Sequence, residues 1–182
     1  MQGNEKPSAA SLEDIYLEYV APIRAYLYRL SGDRDLAQDL VQEVFYRATR
    51  SLLMGKRIDY VSSWLYRIAR NLYLDHVSRI KPKYEVVYYD ELDHYGSYGA
   101  EEISRDLERR DMQMKIQQTL SLLPETQKTV LLLRDYHELS YAEISGVMDI
   151  TVSAVKSLLF RARLNFRTHY QKLTVEEGEK NG

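Results

Sequence analysis

Three short stretches hold the residue types that could do recognition chemistry. The first, WLYRIARN from Trp64 to Asn71, sets Arg67, Arg70 and an amide into an apolar repeat. Guanidinium groups neutralise phosphate and neighbouring aromatic rings can stack bases, so such a face suits a polyanion better than water alone. The second runs through Ser153, Lys156, Ser157, Arg161 and Arg163, within residues 150–172 that hold five bases and no acid, a net +5. The third, around QDLVQE, interleaves Gln38, Asp39, Gln42 and Glu43 with apolar residues. Amides alternating with carboxylates on one face of a helix serve either as a solvated surface or as a docking surface.

Catalytic chemistry leaves no comparable signal. His76, His94, His137 and His169 share no ligand spacing, and HELSY at His137 lacks the second histidine of the H-E-x-x-H zinc pattern because Tyr141 stands there. No G-x-x-x-x-G-K-[ST] phosphate loop occurs, and the carboxylates Asp90 and Asp93 lie in a stretch with nothing to bury them. The expectation is a protein without catalytic activity, metal or cofactor. The chain has no cysteine, which excludes disulfides and cysteine-ligated metal and fits a reducing compartment. No run approaches the roughly 18 apolar residues of a membrane span, and MQGNEKPSAA has no apolar signal core, so no membrane insertion and a cytoplasmic location are expected.

These stretches need helices to position them. A first helix opens at Ser11 and runs to the SGD turn at Ser31–Asp33, with a kink expected at Pro22. In the second, Leu36, Ala37, Leu40, Val41, Val44 and Ala48 share one face, leaving Gln38, Asp39, Gln42 and Tyr46 opposite and Glu43 at the margin. The third, from about Tyr60 to Ile80 before Pro82, groups Trp64, Leu65, Ile68, Ala69 and Leu72, with Arg67 and Arg70 projecting the other way beside Tyr66 and Tyr73. Asn71 and Asp75 fall at its edge.

Residues 82–111 hold nine acids and four bases, lack a helical period up to about Asp106, and read as an acidic linker. Beyond it a helix is expected from Pro124, and Ser140 and Glu143 form an S-x-x-E capping box for YAEISGVM. A turn, DIT, precedes a last helix capped by Thr151 or Ser153. Its inward face would hold Val152, Val155, Leu159, Ala162 and Phe166. Two helices at this spacing, Tyr141 to Arg161, make a helix-turn-helix whose second helix can enter the DNA major groove. Net charge is −2 overall, with +5 in residues 50–81 and −5 in the linker, so two basic blocks flank an acidic connector.

Taken together, DRDLAQDLVQEVFYRA, WLYRIARNLYLDHVSR and LPETQKTVLLLRDYHELSYAEISGVMDITVSAVKSLLFRAR resemble, in order, three blocks of the extracytoplasmic-function (ECF) sigma factors of bacterial RNA polymerase, in the sigma-70 family. The resemblance implies an all-α chain of two small helical domains joined by a flexible linker. These are a region 2 bundle over residues 8–81, the linker over 82–111, and a region 4 helix-turn-helix over 112–173. It implies core RNA polymerase and promoter DNA as partners, and an anti-sigma factor as inhibitor. Asp39, Gln42 and Glu43 match the polymerase-docking positions. Arg67, Arg70, Asn71 and Asp75 match the −10 strand-binding helix, with Tyr60 as a base stacker in the loop before it. Ser153, Lys156, Ser157, Arg161 and Arg163 match the −35 recognition helix and its phosphate-contacting flank. Three positions depart from the common pattern. Asp149 and Glu138 stand where glycine is frequent, and Leu158 where arginine is frequent. The same resemblance sends the acidic linker through the polymerase's basic channels.

Overall fold

A computed structural model describes residues 12–79 and 100–180, with side chains over 12–79 and 109–175. Seven α-helices and no strand occur among the described residues: α1 (Leu12–Ser31), α2 (Arg34–Leu53), α3 (Val61–Arg79), α4 (Ala100–Ser121), α5 (Glu125–Leu131), α6 (Tyr141–Met148) and α7 (Val152–Lys180). The first three pack on one another as a bundle, while α4, α5 and α6 each pack on α7.

The helix boundaries follow from local chemistry. Asp33 caps α2 by accepting from the Leu36 amide at 2.9 Å. Between α1 and α2 the chain reverses at Gly32, whose φ of 71° is the left-handed region that costs glycine least. The helix α1 continues through Pro22 without interruption. Its expected cap, Ser11, lies outside the described residues. Pro124 is a cap rather than the first helical residue. Its ψ of 143° is extended, so the helix starts at Glu125, and the Pro124 carbonyl accepts from the Gln127 and Lys128 amides.

The bundle core is built by the expected apolar stripe of α2, joined by Phe45, against Ile23, Tyr26, Leu27 and Leu30 of α1 and Leu65, Ala69 and Leu72 of α3. Leu65 and Leu27 are wholly buried. Truncating either to Ala would cost about 2–5 kcal/mol, a large share of the stability a small domain has. Trp64 and Ile68 pack at the margin of this core.

Two expectations are corrected here. Helix α4 begins at Ala100, so residues 100–111, read as the end of the linker, are helical. A weak apolar period in an acid-rich stretch conceals the start of a helix whose far end buries Gln117, Thr119 and Leu120. Residues 82–99 lie outside the described residues. Tyr66 and Tyr73 are also not on an exposed face with the arginines. They are 3% and 5% exposed. The stripe of Tyr66, Arg70 and Tyr73, at i, i+4 and i+7, faces α1 and the second domain, a covering that the α3 sequence does not reveal.

Candidate nucleic-acid interface

In the second domain the capping box forms as read. Ser140 Oγ accepts from the Glu143 amide at 3.2 Å, and the Glu143 carboxylate accepts from the Ser140 amide at 2.8 Å. Helix α6 then stops at Asp149, which sits in the left-handed region at φ 57°, ψ 46°. Its amide reaches back to the Ser145 carbonyl, so the turn is a helix C-cap built with a residue that tolerates this conformation less well than glycine. Glu138 also has a positive φ, 59°. Both departures from glycine therefore fall where the backbone favours glycine. Thr151, not Ser153, caps α7, accepting from the Ala154 amide at 3.2 Å.

This turn sets the outward face of α7. Val155, Leu159 and Ala162 are buried and Phe166 half-buried, but Val152 is 40% exposed because it lies in the first turn, ahead of the helix's packing on α5 and α6. Ser153, Lys156, Ser157 and Arg161 all point to solvent, with Phe160 and Leu164 exposed beside them. Leu158 packs against the core, as its place beside the apolar face predicts. Lys156 lies 5.9 Å from the Tyr141 ring centroid, a contact that holds the ammonium near α6 without removing its charge. Arg163 stands apart from the others. It forms a two-point ion pair with Asp135, through Nε to Oδ2 at 3.0 Å and through Nη2 to Oδ1. That hydrogen bond raises its pKa further, and part of its charge is already matched. Adjacent sequence gave no sign of this partner, which lies 28 residues away.

On α3 the expected strand-binding residues split into two stripes. Arg67, Asn71 and Asp75, at i, i+4 and i+8, are exposed along one line. Arg70 belongs to the neighbouring stripe with Tyr66 and is half-buried, its Nε shielded from water without a hydrogen-bond partner. Just before the helix, Tyr60 leaves its ring 72% exposed, while its carbonyl accepts from the Trp64 amide at 3.1 Å. The ring is thus presented by a fixed backbone at the mouth of α3.

On α2, Asp39 and Gln42 are exposed and line up with Tyr46, which is 62% exposed. Glu43 is partly turned along the helix, bonded to Arg47 at 2.6 Å. Exposed pairs of this kind are worth little to stability and are readily exchanged for another partner. No three metal-ligating side chains gather among the described residues, and none of the described helices is long and apolar enough to cross a membrane.

Several polar residues that sequence reasoning passed over prove central to the structure. Gln117, Thr119, Lys128 and Thr129 are buried. Only Thr129 and Lys128 had a visible signal, as polar residues at apolar spacing in α5.

Comparison with known proteins agrees with this geometry. The sigma-70 region 2 model matches residues 15–82 and the sigma-70 region 4 model residues 113–165. The ECF RNA polymerase sigma factor SigM of Bacillus subtilis (strain 168) is 31% identical over 92% of this chain and 99% of its own length. The sigma factor YlaC of the same organism is 29% identical over 92% and 96%. Among solved structures, the sigma factor RpoE in complex with the anti-sigma factor NepR from Bartonella quintana matches with a TM-score of 0.67 at 18% identity, covering 87% of this chain and 96% of that one. With both sigma regions matched in order, an all-helical fold to carry them, and a relative above 30% identity along nearly the whole chain, the chain belongs to the ECF group of the sigma-70 family of RNA polymerase sigma factors.

Proposed function

We propose that the chain acts as a promoter-specificity subunit that binds core RNA polymerase, recognises −35 and −10 elements and helps melt the promoter, with no catalytic activity of its own. The observation that carries the reading is the outward face of α7, where Ser153, Lys156, Ser157 and Arg161 project from a helix-turn-helix whose residues 150–172 include five bases and no acid. A face of this kind in the major groove neutralises phosphate and offers donors to base edges. Arg163 contributes less, since Asp135 holds it.

In the bundle, Arg67, Asn71 and Asp75 form the open line for a single strand, with Arg70 beside them, and Tyr60 supplies a ring on which an unpaired base can stack. Unpairing costs a few kcal/mol per base, and a stacking platform returns about 1–3 kcal/mol for each base it holds. Asp39, Gln42 and Glu43 on α2 form the docking face for the polymerase. The RpoE neighbour was solved with an anti-sigma factor, which supports an inhibitor of that class as a further partner.

Runoff transcription with purified core polymerase on a promoter library tests the proposal directly. Transcripts that depend on this chain and share two promoter elements support it. If the chain binds duplex DNA tightly by itself and fails to engage core polymerase, it is a stand-alone regulator and the proposal is wrong.

A further inference from the structure

One member of the basic face of α7 is already answered by an acid. Arg163 binds Asp135 through two N–H groups, Nε to Oδ2 at 3.0 Å and Nη2 to Oδ1, across 28 residues of sequence. Lys156 and Arg161 instead meet a ring face and a backbone carbonyl, contacts that leave their charges unmatched. Asp135 stands on a firmly held backbone. It lies in a wide turn at the end of α5, closed by the His137 amide on the Leu132 carbonyl at 3.0 Å, with Leu132 and Leu133 buried. Arg134, next to it, donates to the Leu139 carbonyl at 2.8 Å. The carboxylate is therefore presented to α7 by the core of the domain.

Lys156, Arg163 and Arg167, at i, i+7 and i+11, form one stripe of α7 on the side nearest α6, where Lys156 approaches the Tyr141 ring. When a helix-turn-helix docks, its second helix enters the major groove and its first crosses the backbone, so this stripe faces phosphate rather than base edges. A carboxylate and a phosphate offer a guanidinium the same kind of partner, two anionic oxygens that fit its fork. Asp135 thus takes, within the chain, the place of a DNA phosphate on Arg163. With the two side chains 52% and 40% exposed, the pair lies in water and exchanges readily for another partner.

We propose that Asp135 is a built-in phosphate surrogate that keeps Arg163 off DNA until α7 is seated in its −35 site, so that Arg163 adds its phosphate contact only to the specific complex. In a loose encounter with duplex DNA, breaking the pair exchanges one anionic partner for another and gains nothing. Seating α7 in the groove holds a backbone phosphate against the α6 side, where it repels the Asp135 carboxylate and takes over the guanidinium. Such a device penalises sites that do not fit, which matters for a protein searching among a large excess of non-specific DNA. It rests on the promoter-factor reading and deepens it, adding a residue outside the recognition helix that sets which DNA the helix holds.

Counterion release separates the two modes of binding. Each phosphate contact adds about 0.9 to the steepness with which log affinity falls against log salt, about a 3.5-fold difference between about 50 and 200 mM. The full chain is measured on a duplex without promoter elements, and its holoenzyme with core polymerase on a promoter fragment, by fluorescence anisotropy over that range. Arg163→Ala should lower the slope on the promoter by about 0.9 and leave the slope on the promoter-free duplex at the wild-type value. Asp135→Asn should do the reverse, raising the promoter-free slope by about 0.9 and leaving the promoter slope unchanged. If the Asn amide oxygen still holds the guanidinium, Asp135→Ala decides by the same criterion. A promoter-free slope in Asp135→Ala equal to wild type, an Arg163→Ala effect of equal size on both DNAs, or weaker promoter binding in Asp135→Ala would overturn the proposal. A wild-type holoenzyme that holds promoter and promoter-free fragments equally overturns the promoter-factor reading instead, and the promoter-free slopes then judge the masking of Arg163 by themselves.

Discussion

Acid should open the contact between the two domains, where α6 packs on α3 and His137 Nδ1 lies 2.8 Å from Tyr66 Oη, and His137 sets how far. Burial between the domains, reinforced by the Arg29 guanidinium, lowers its pKa from 6.5 to about 4. The groups around it are Arg29, Tyr26, Glu18 and Tyr19 from α1, Tyr66 from α3, and Tyr136 and Glu138 on its own turn. Tyr26 and Tyr66 stay neutral, since burial raises both phenols far above their ordinary range. With the neutral ring's Nδ1 bonded to Tyr66, its Nε2 is shielded from water without a partner, so a second proton would put a charge where nothing receives it. Separation of the domains removes Arg29, Tyr26 and Tyr66 from the ring and returns its pKa toward 6.5.

The open form therefore binds more protons than the closed one. Closed-state stability is complete above about pH 6.5 and falls as pH drops toward 4. Linkage between these two values gives about 2 kcal/mol lost at pH 5, and water reaching the partly exposed ring reduces this to about 1 kcal/mol, a roughly fivefold change in the open-to-closed ratio. Unperturbed Glu side chains titrate near 4.3, so the interval from pH 8 to pH 5 lies above the ordinary carboxylate range, and comparison with His137→Phe separates this ring from the chain's other three histidines. The chain has no cysteine, so donor and acceptor dyes at Glu13→Cys and Thr168→Cys, both exposed, titrated over that interval, give the ratio directly by energy transfer. His137→Phe should flatten the dependence. An unchanged pH slope in that variant would refute the argument.

The remaining expectations concern separate parts of the molecule. Gln42→Ala should weaken core polymerase binding and leave thermal stability unaltered, whereas Lys156→Ala should weaken promoter binding alone and reduce the salt slope of DNA binding by about one; filter binding at several salt concentrations and a core pull-down separate them. Ser140→Ala removes the capping box and should cost about 1 kcal/mol in chemical denaturation. Asp149→Val forces a β-branched residue into the left-handed turn and should destabilise the second domain by more than about 1 kcal/mol, while Asp149→Gly should be neutral or stabilising. Asp135→Ala releases Arg163 and is expected to tighten promoter binding at low salt, as measured by gel shift.

Local and periodic features were legible in the chain itself. The α2 stripe from Leu36 to Ala48, the capping box at Ser140 and Glu143 and the outward basic face of α7 each depend on residues within a few turns of one another, where spacing alone fixes which side chains meet. Asp149 and Glu138 stood out only through the family resemblance, as positions where glycine is frequent, and their positive φ came from the structure. What the tertiary structure decided involves partners far apart in sequence. Tyr66 read as part of an exposed face beside the arginines, yet His137, 71 residues later, covers it. Lys128 could have been one more surface lysine, yet it caps α1 through the Leu30 carbonyl, 98 residues earlier. Arg67 and Arg70 are chemically alike and three residues apart, and only what packs around α3, with Tyr26 of α1 near Arg70, leaves one open and screens the other. A helical period assigns a residue to a face, but burial of that face is set by whatever packs there, and for α3 that is partly another domain.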